Sequence, residues 1–493
     1  MANPNRRDFL KTSLLTSGGL FLGSCAHSGR GTATARSGQR PNIVLILADD
    51  MGYGDPVCYN PESKTATPNI DRLAGRGVRF TDAHAAGAWC VPSRYGLMTG
   101  RYPFRTQLNQ KTSIIEPGRT TVASLLKENG YRTACIGKWH LGFEGGPENI
   151  DFSEPMRGGP RDHGFDYFFG MHASLDIPPY YYIENDRPVA APTGHIGASH
   201  SPDVTPIQGA FWREGAIAPG FNHDEVLPMF TDKTVGFIKN HAAEHGGEPF
   251  FTYLALAAPH TPWLPTGRFK GSTRAGEYGD FVAQVDAAVG RVLQTLDELG
   301  LTDNTLVIFS SDNGPVWFEA DAQRFGHRSV SCLRGMKADA YEGGHRMPFI
   351  ARWPGRIGPG SVSDETICFT DMLATFAAIV GAELPEDAGE DSYDVLPAMV
   401  GVAHKSPIRE GLVVDRSIRS GDWKLIFGDG AGGLSRRYGG DEPQKPRKIP
   451  GELFNLREDI GETTDLYEQQ PQIVEKLTAL MKRYREEGRS APR

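Results

Sequence analysis

Residues 42–50 read NIVLILADD, a short unbroken apolar run that ends on two adjacent carboxylates. A run this short, rich in Ile, Val and Leu and without polar alternation, fits a strand buried on both faces. Three more stretches share its texture: YRTACIG (131–137), PFFTYLALA (249–257) and NTLVIFS (304–310). Helical patterns lie between them. TPNIDRLAGRG has Thr67 as N-cap, Pro68 at the first helical position and Gly75 or Gly77 near its end. TTVASLLKENG closes at Gly130. In YGDFVAQVDAAVGRVLQTLDELG, Phe281, Val282, Val285, Val289, Val292, Leu293 and Leu296 share one face, and the pattern stops at Gly300. Buried strands alternating with helices predict an α/β fold with a large, mostly parallel mixed sheet flanked by helices.

Each strand runs into a polar cluster. Asp49-Asp50 follow the first, Lys138-Trp139-His140 the second, Pro259-His260-Thr261-Pro262 the third and Ser311-Asp312-Asn313-Gly314 the fourth. The C-terminal ends of parallel strands share one edge of the sheet, and ligands bind along it. Singly, each cluster has an ordinary explanation: a capping acid pair, a turn, a packed histidine. Together they predict that residues distant in sequence converge on one site.

The chain has 493 residues, enough for two or three domains. Its formal net charge is -8 and its body carries no basic stripe, so nucleic acid is not an expected partner. Residues 1–39 read as a targeting segment and linker. Asn5-Arg6-Arg7-Asp8-Phe9-Leu10-Lys11 before TSLLTSGGLFLGSC resembles a twin-arginine export signal. LGSC, ending at Cys25, resembles a lipoprotein box, with simple cleavage nearby as the equal alternative. The apolar stretch is too short to span a bilayer, so a membrane partner is expected only through a lipid on Cys25. The expected location is periplasmic, lipid-anchored at Cys25 or not, or extracellular. Residues 40–375 are expected to form the catalytic domain and 376–493 a C-terminal subdomain. In that last part, RSIRSGDWKLIFGDG reads as a hairpin and PQIVEKLTALMKRYREEG as an amphipathic helix, a small antiparallel sheet with a helix. The Gly/Pro/His-rich stretch 143–230 reads as an insertion over the site. Of the six cysteines none forms a CxxC pair. Export in the folded state disfavours a disulfide framework, with a bridge among Cys58, Cys135, Cys332 and Cys368 left open.

Asp49, Asp50, Asp312 and Asn313 are hard oxygen donors, unaccompanied by zinc-type His or Cys spacing; they suit Ca²⁺, with Mg²⁺ as the alternative. Around them stand the cations Arg94, Lys138 and Lys337, with His140 and His260. A divalent ion among cations suits a small, multiply charged oxyanion ester. Cys90 precedes Pro92, where a helix should begin, and a helix N-terminus lowers a thiol pKa. Arg94 lies one turn along, facing the same spot.

Cys90-Val91-Pro92-Ser93-Arg94 matches a Cys-x-Pro-x-Arg signature, continued by LMTGRYP. With ADDMGYGD, GKWHLG, GFDYFFG, APHTPW, SDNG and LRGMKADAYEGGHRMPFIARWPG, the chain resembles the formylglycine-dependent (type I) sulfatases of the alkaline phosphatase superfamily. Within these it is similar to arylsulfatases and N-acetylgalactosamine-6-sulfatases. The resemblance covers roughly 40–375, with an echo in DWKLI and ELFNL. It implies an alkaline phosphatase-like fold and hydrolysis of sulfate esters, on sulfated carbohydrates or aryl sulfates. It also implies that a formylglycine-generating enzyme oxidises Cys90 to an aldehyde, whose hydrate attacks sulfur with one hydroxyl and expels sulfate through the other. The family's roles carry over as Ca²⁺ held by Asp49, Asp50, Asp312, Asn313 and an oxygen of modified Cys90. Asp312 would also take the nucleophile's proton, Arg94 steady the hydrate, and Lys138 and Lys337 bind sulfate oxygens. His140 would be the base of the elimination, and His260, helped by Lys337, would protonate the leaving oxygen. The rivals are a phosphonate or phosphate ester hydrolase of the same superfamily and a non-catalytic binder of sulfated glycans. For the sugar pocket the sequence offers His163, His172, His195, His200, His223, Tyr180, Tyr181, Tyr182 and Trp212, and for a second anion Arg416 and Arg419, each with ordinary packing or surface charge as the alternative.

Overall fold

The computed structural model describes residues 40–109, 112–146, 150–402, 406–438 and 445–492. The export signal, Cys25 and the linker therefore lie outside the described residues. Gly38–Arg493 forms one compact unit. Its main sheet has ten strands: β1 (Asn42–Asp49), β2 (Val78–Phe80), β3 (Arg132–Lys138), β4 (Tyr167–Met171), β5 (Ile183–Glu184), β6 (Arg187–Pro188), β7 (Phe250–Pro259), β8 (Thr305–Ser311), β9 (Phe349–Arg352) and β10 (Ser361–Ser363). Their spatial order is β10-β2-β9-β8-β1-β7-β3-β4-β5-β6. The stretch β8-β1-β7-β3-β4 is parallel throughout, and β9, β5 and β6 join antiparallel.

The expected strands are β1, β3, β7 and β8, and they are neighbours. β1 sits between β7 and β8 and is buried along its whole length, as a run without polar alternation requires. Close packing sets one glycine. At Gly137, with φ 123°, a Cβ would meet the Ala255 carbonyl oxygen at 1.8 Å, so only glycine brings β3 against β7 just before Lys138.

Helices α1 (Pro68–Gly75), α2 (Cys90–Thr99), α3 (Val122–Glu128), α4 (Val226–Glu244), α5 (Gly276–Glu298) and α6 (Met372–Val380) flank the sheet. All seven apolar residues expected on one face of α5 are buried. The expected domain boundary at 375/376 falls inside α6, which packs against α2 and α3. A small antiparallel sheet follows: β11 (Leu412–Val414), β12 (Ser417–Ser420), β13 (Trp423–Phe427) and β14 (Gly451–Asn455), with α7 (Gly433–Tyr438) and α8 (Pro471–Glu486). Leu477, Leu480, Met481 and Tyr484 of α8 are buried against it and Ile473 partly so, as an amphipathic helix requires. Ion pairs tie this sheet to the rest of the unit: Lys424 meets Glu342 at 2.9 Å and Arg419 meets Asp82 at 2.8 Å, while Lys424 also meets Glu462, from its own part of the chain, at 2.8 Å.

The insertion 143–230 departs from the expectation of loop alone. It contributes β4, which extends the parallel core beside β3. Cys58, Cys90, Cys135, Cys332 and Cys368 are all free, so no disulfide joins the described cysteines. Among the described residues no helix is long and apolar enough to cross a membrane.

Candidate active site

The strand ends converge. Lys138 Nζ, at the end of β3, donates to Asp49 Oδ2 at the end of β1 over 2.6 Å, both side chains fully buried. Past the end of β8, Asp312 accepts on Oδ2 from Arg94 Nε at 3.0 Å and Nη2 at 2.8 Å. Its Oδ1 accepts from the Asp50 N–H at 3.2 Å. Arg94 comes from α2, one turn after Cys90, and its Nη1 reaches the Lys138 carbonyl at 3.0 Å. Asn313 Nδ2 donates to Asp50 Oδ1 at 2.6 Å, and Lys337 Nζ spans both Asp50 oxygens at 2.7 and 2.9 Å. His260 Nε2 lies 3.6 Å from Asp50 Oδ2. Asp49, Cys90 and Asp312 bring one ligand atom each to within 4.8 Å of one another. The structure thus brings every residue expected at the site into one constellation, His140 included, beside Lys138 with both ring nitrogens unpartnered.

Asp50, Cys90, His140, His260 and Lys337 line a cavity of about 770 Å³. Arg94, Lys138, Asp49, Asp312 and Asn313 form a buried layer outside its lining. Two buried oxygens have no hydrogen-bond partner, Asp49 Oδ1 and Asn313 Oδ1. Unsatisfied buried acceptors are costly, and three carboxylates with an amide around them are a hard-donor set. These residues fit a divalent cation held by oxygen.

Electrostatics divides the carboxylates. Burial alone would raise Asp49, but Lys138, His260 and Arg94 outweigh it and hold its carboxyl well below the usual range. Asp312 goes the other way, pushed up by burial and by the Asp49 charge against Arg94. Burial, then Lys138 and Arg94, hold His140 well below an ordinary imidazole, so it stands neutral. Cys90 corrects the sequence expectation. It does open α2, but it is buried, and burial raises its thiol against the pull of Lys138 and Lys337. The helix terminus does not make it a ready thiolate.

Backbone strain concentrates here. Asp50 and His140 both adopt left-handed φ, 64° and 56°, a conformation that costs a non-glycine residue of order 1 kcal/mol and persists only where the surroundings fix it. Around Asp50 the fixing group is a buried network that the sequence reading missed. Asp55 accepts from the Gly52 N–H at 2.7 Å and meets His327 Nε2 at 2.8 Å. The Tyr278 hydroxyl lies 2.5 Å from Asp55 and 3.1 Å from the Asp50 carbonyl. Tyr278→Phe is expected to lower stability by about 1–2 kcal/mol, because Asp55 loses a buried donor. The midpoint of urea unfolding checks this, and an unchanged midpoint would contradict it.

The residues offered for a sugar pocket are placed elsewhere. His163 stacks on Trp139, His172 on Tyr181, and His223 on Trp212 and against Tyr180. Tyr182 packs on Phe169, while His195 and His200 are exposed away from the cavity lining. Arg419 is taken by Asp82. Arg416 does reach the lining, but its guanidinium clamps the carbonyls of Asp429, Gly430 and Ala431. The insertion supplies other side chains to the cavity, Asp176, Phe211 and Arg213. No motif announces them, since isolated loop residues carry no periodic signal. The turn residue Asp415, between β11 and β12, also reaches the site and accepts from the Ala88 N–H at 2.9 Å, just before Cys90.

Comparison with known proteins agrees with this geometry. The family model described as Sulfatase matches residues 41–382. N-acetylgalactosamine-6-O-sulfatase of Bacteroides thetaiotaomicron is 35% identical over 90% of this chain and 93% of its own length. Human arylsulfatase A is 34% identical over 91% of this chain and 88% of its own. A solved Bacteroides thetaiotaomicron 6S-sulfatase, reported with that organism's metabolism of glycosaminoglycans, superposes with TM-score 0.78 at 33% identity, covering 90% of this chain and 99% of that one. A phosphonate monoester hydrolase of Agrobacterium radiobacter shares the fold, with TM-score 0.59 at 18% identity over 90% of this chain and 96% of that one. The family match spans the strand ends that build the constellation, and the chain belongs to the sulfatase family, the sulfuric ester hydrolases.

Proposed function

We propose that the protein removes sulfate from sulfated carbohydrates, using a formylglycine made from Cys90 and a bound Ca²⁺, with Mg²⁺ as the alternative ion. The observation that carries the reading is the pair of unpartnered buried oxygens, Asp49 Oδ1 and Asn313 Oδ1, with Asp49, Asp312 and Cys90 each bringing a ligand atom to within 4.8 Å of one another. Asp49, Asp50, Asp312 and Asn313 would hold the ion, with an oxygen of the modified residue. When bound, the ion supplies positive charge that offsets charge building up on the sulfate. Formylglycine supplies a hydrated aldehyde, with one hydroxyl to attack sulfur and a second to expel sulfate afterwards.

The chain's own residues divide the remaining work. Arg94 holds Asp312 beside position 90, where the carboxylate is suited to take the nucleophile's proton and Arg94 to steady the hydrate. Lys337 lines the cavity, which supports a role in meeting a sulfate oxygen. Lys138 stands one layer deeper on Asp49, where its charge acts on the same centre. His260 Nδ1 lies 2.6 Å from the Thr261 carbonyl, which can only accept, so Nδ1 carries hydrogen and Nε2 is left to exchange a proton with the leaving oxygen. His140, neutral and unpartnered, is suited to accept the proton when sulfate is expelled.

Carbohydrate as substrate rests on the similar N-acetylgalactosamine-6-O-sulfatase and on a cavity far larger than a sulfate group. Twin-arginine export to the periplasm or the extracellular space, with Cys25 lipid-bearing or the signal simply cleaved nearby, and prior action of a formylglycine-generating enzyme belong to the same proposal, and rest on sequence. The test is sulfate release from N-acetylgalactosamine 6-sulfate and 4-nitrophenyl sulfate beside turnover of an aryl phosphodiester. The proposal expects the sulfates to be preferred, and preference for the phosphodiester would overturn it. The ion has a readout apart from activity. Ca²⁺ at a hundred times its Kd should stabilise the folded chain by about 2.7 kcal/mol, seen as a rise in Tm that EGTA reverses. No rise with either Ca²⁺ or Mg²⁺ would contradict the assigned ligand set.

A further inference from the structure

Beside the reacting centre stands a carboxylate that no step above uses. Asp176 lies in the insertion and is buried, with its side chain 6% exposed. Its Oδ2 is paired with Arg213, but Oδ1 accepts no hydrogen bond. That oxygen lies 3.9 Å from His260 Nδ1, and Asp176 lines the cavity with His260, Arg213 and Trp89. A buried carboxylate oxygen without a donor, on a residue that lines a cavity, lacks a partner that a ligand can bring.

The surroundings say what kind. Arg213 lies over the Phe211 ring at 5.3 Å, and Tyr180 pins the two segments by bonding the carbonyls of Asp176 at 3.1 Å and Arg213 at 2.6 Å. The Asp176–Arg213 pair is therefore a fixed wall that offers one acceptor and, beside it, guanidinium donors. Trp89, the residue before Cys90, is 47% exposed, unusual for so large an apolar side chain, and presents an aromatic surface to the same cavity. An acceptor beside donors, with an aromatic plane, suits a hydroxylated ring with one apolar face. It does not suit a second anion next to the reacting sulfate, because Asp176 already has its cation.

We propose that Asp176, with Arg213, is the specificity-determining pair of this site: Asp176 Oδ1 accepts from a free hydroxyl on the sugar ring that carries the reacting sulfate, with Trp89 against the ring's apolar face. This rests on the sulfatase reading above and deepens it, since His260 must approach the leaving oxygen and Asp176 is beside His260. The substrate class it selects is a sugar sulfate with a hydroxyl near the sulfated position, over aryl sulfates and over rings where that hydroxyl is itself sulfated.

The test crosses enzyme variant with substrate. Wild type and Asp176→Asn are assayed on 4-nitrophenyl sulfate, a sugar sulfate, its deoxy analogues at the neighbouring positions, and the disulfated sugar. For wild type, one deoxy analogue and the disulfated sugar should each lose about tenfold to a hundredfold in kcat/KM, the range for an unpaired buried polar group. In Asp176→Asn the ratio of sugar to aryl kcat/KM should fall by a similar factor, and removing that hydroxyl should cost little more. The pH profile of kcat/KM should keep its shape. Equal wild-type kcat/KM on every deoxy analogue, or a variant that loses equally on all substrates, would overturn the assignment. So would a displaced alkaline limb of the profile, which would make Asp176 a positioning residue acting through His260. Failure of the sulfatase reading looks different: wild type would then release sulfate from none of the substrates.

Discussion

Cys90→Ala is expected to lower sulfate release by at least about 10⁴-fold on every substrate, because the centre loses its only route to a nucleophile. The buried thiol is poorly suited to act unmodified. Burial raises its pKa even with Lys138 and Lys337 nearby. Cys90→Ser sharpens the point. A serine hydroxyl attacking sulfur would leave a sulfate ester with no second hydroxyl to expel it. The expected result is one turnover at most, with the variant gaining the mass of one sulfuryl group on that peptide. Steady turnover by either variant at more than about a hundredth of the wild-type rate would contradict the account.

His260→Ala should separate substrates by their leaving groups. An alkoxide leaving from a sugar needs a proton in the transition state, whereas 4-nitrophenolate departs readily without one. General acid catalysis is worth about 10²–10⁴-fold, so a loss near 10³ is expected on a sugar sulfate and less than about tenfold on 4-nitrophenyl sulfate. The geometry supports the role: Nδ1 is committed to the Thr261 carbonyl, and the ring lines the cavity beside Asp50. Equal losses on both substrates would instead make His260 a group that shapes the carboxylate cluster.

Much of this was legible in the chain itself, for a physical reason. Strands buried on both faces carry no charged residues between their ends, so Asp49, Lys138, His260 and Asp312 stand out at the boundaries of β1, β3, β7 and β8. Parallel pairing then puts those boundaries on one edge. β4 was hidden because YFFGM is short and set among glycines, prolines and histidines. Its burial comes from β3 beside it, not from its own pattern. The Cys90 thiol was misjudged because a helix terminus is a local feature, while the desolvation that opposes it comes from the whole fold. The histidines of the insertion look available in sequence because stacking on Trp139, Tyr181 or Trp212 is a long-range contact. Arg416 misled for a related reason, since its three carbonyl partners all lie in the loop after β13, two strands further along the chain.

The most direct test of the central claim is mass spectrometry of the peptide containing Cys90, on enzyme that is releasing sulfate. The account predicts the aldehyde of formylglycine, or its hydrate, at position 90, in a fraction that tracks specific activity from one preparation to the next. Full activity in protein whose Cys90 is an intact thiol would contradict it.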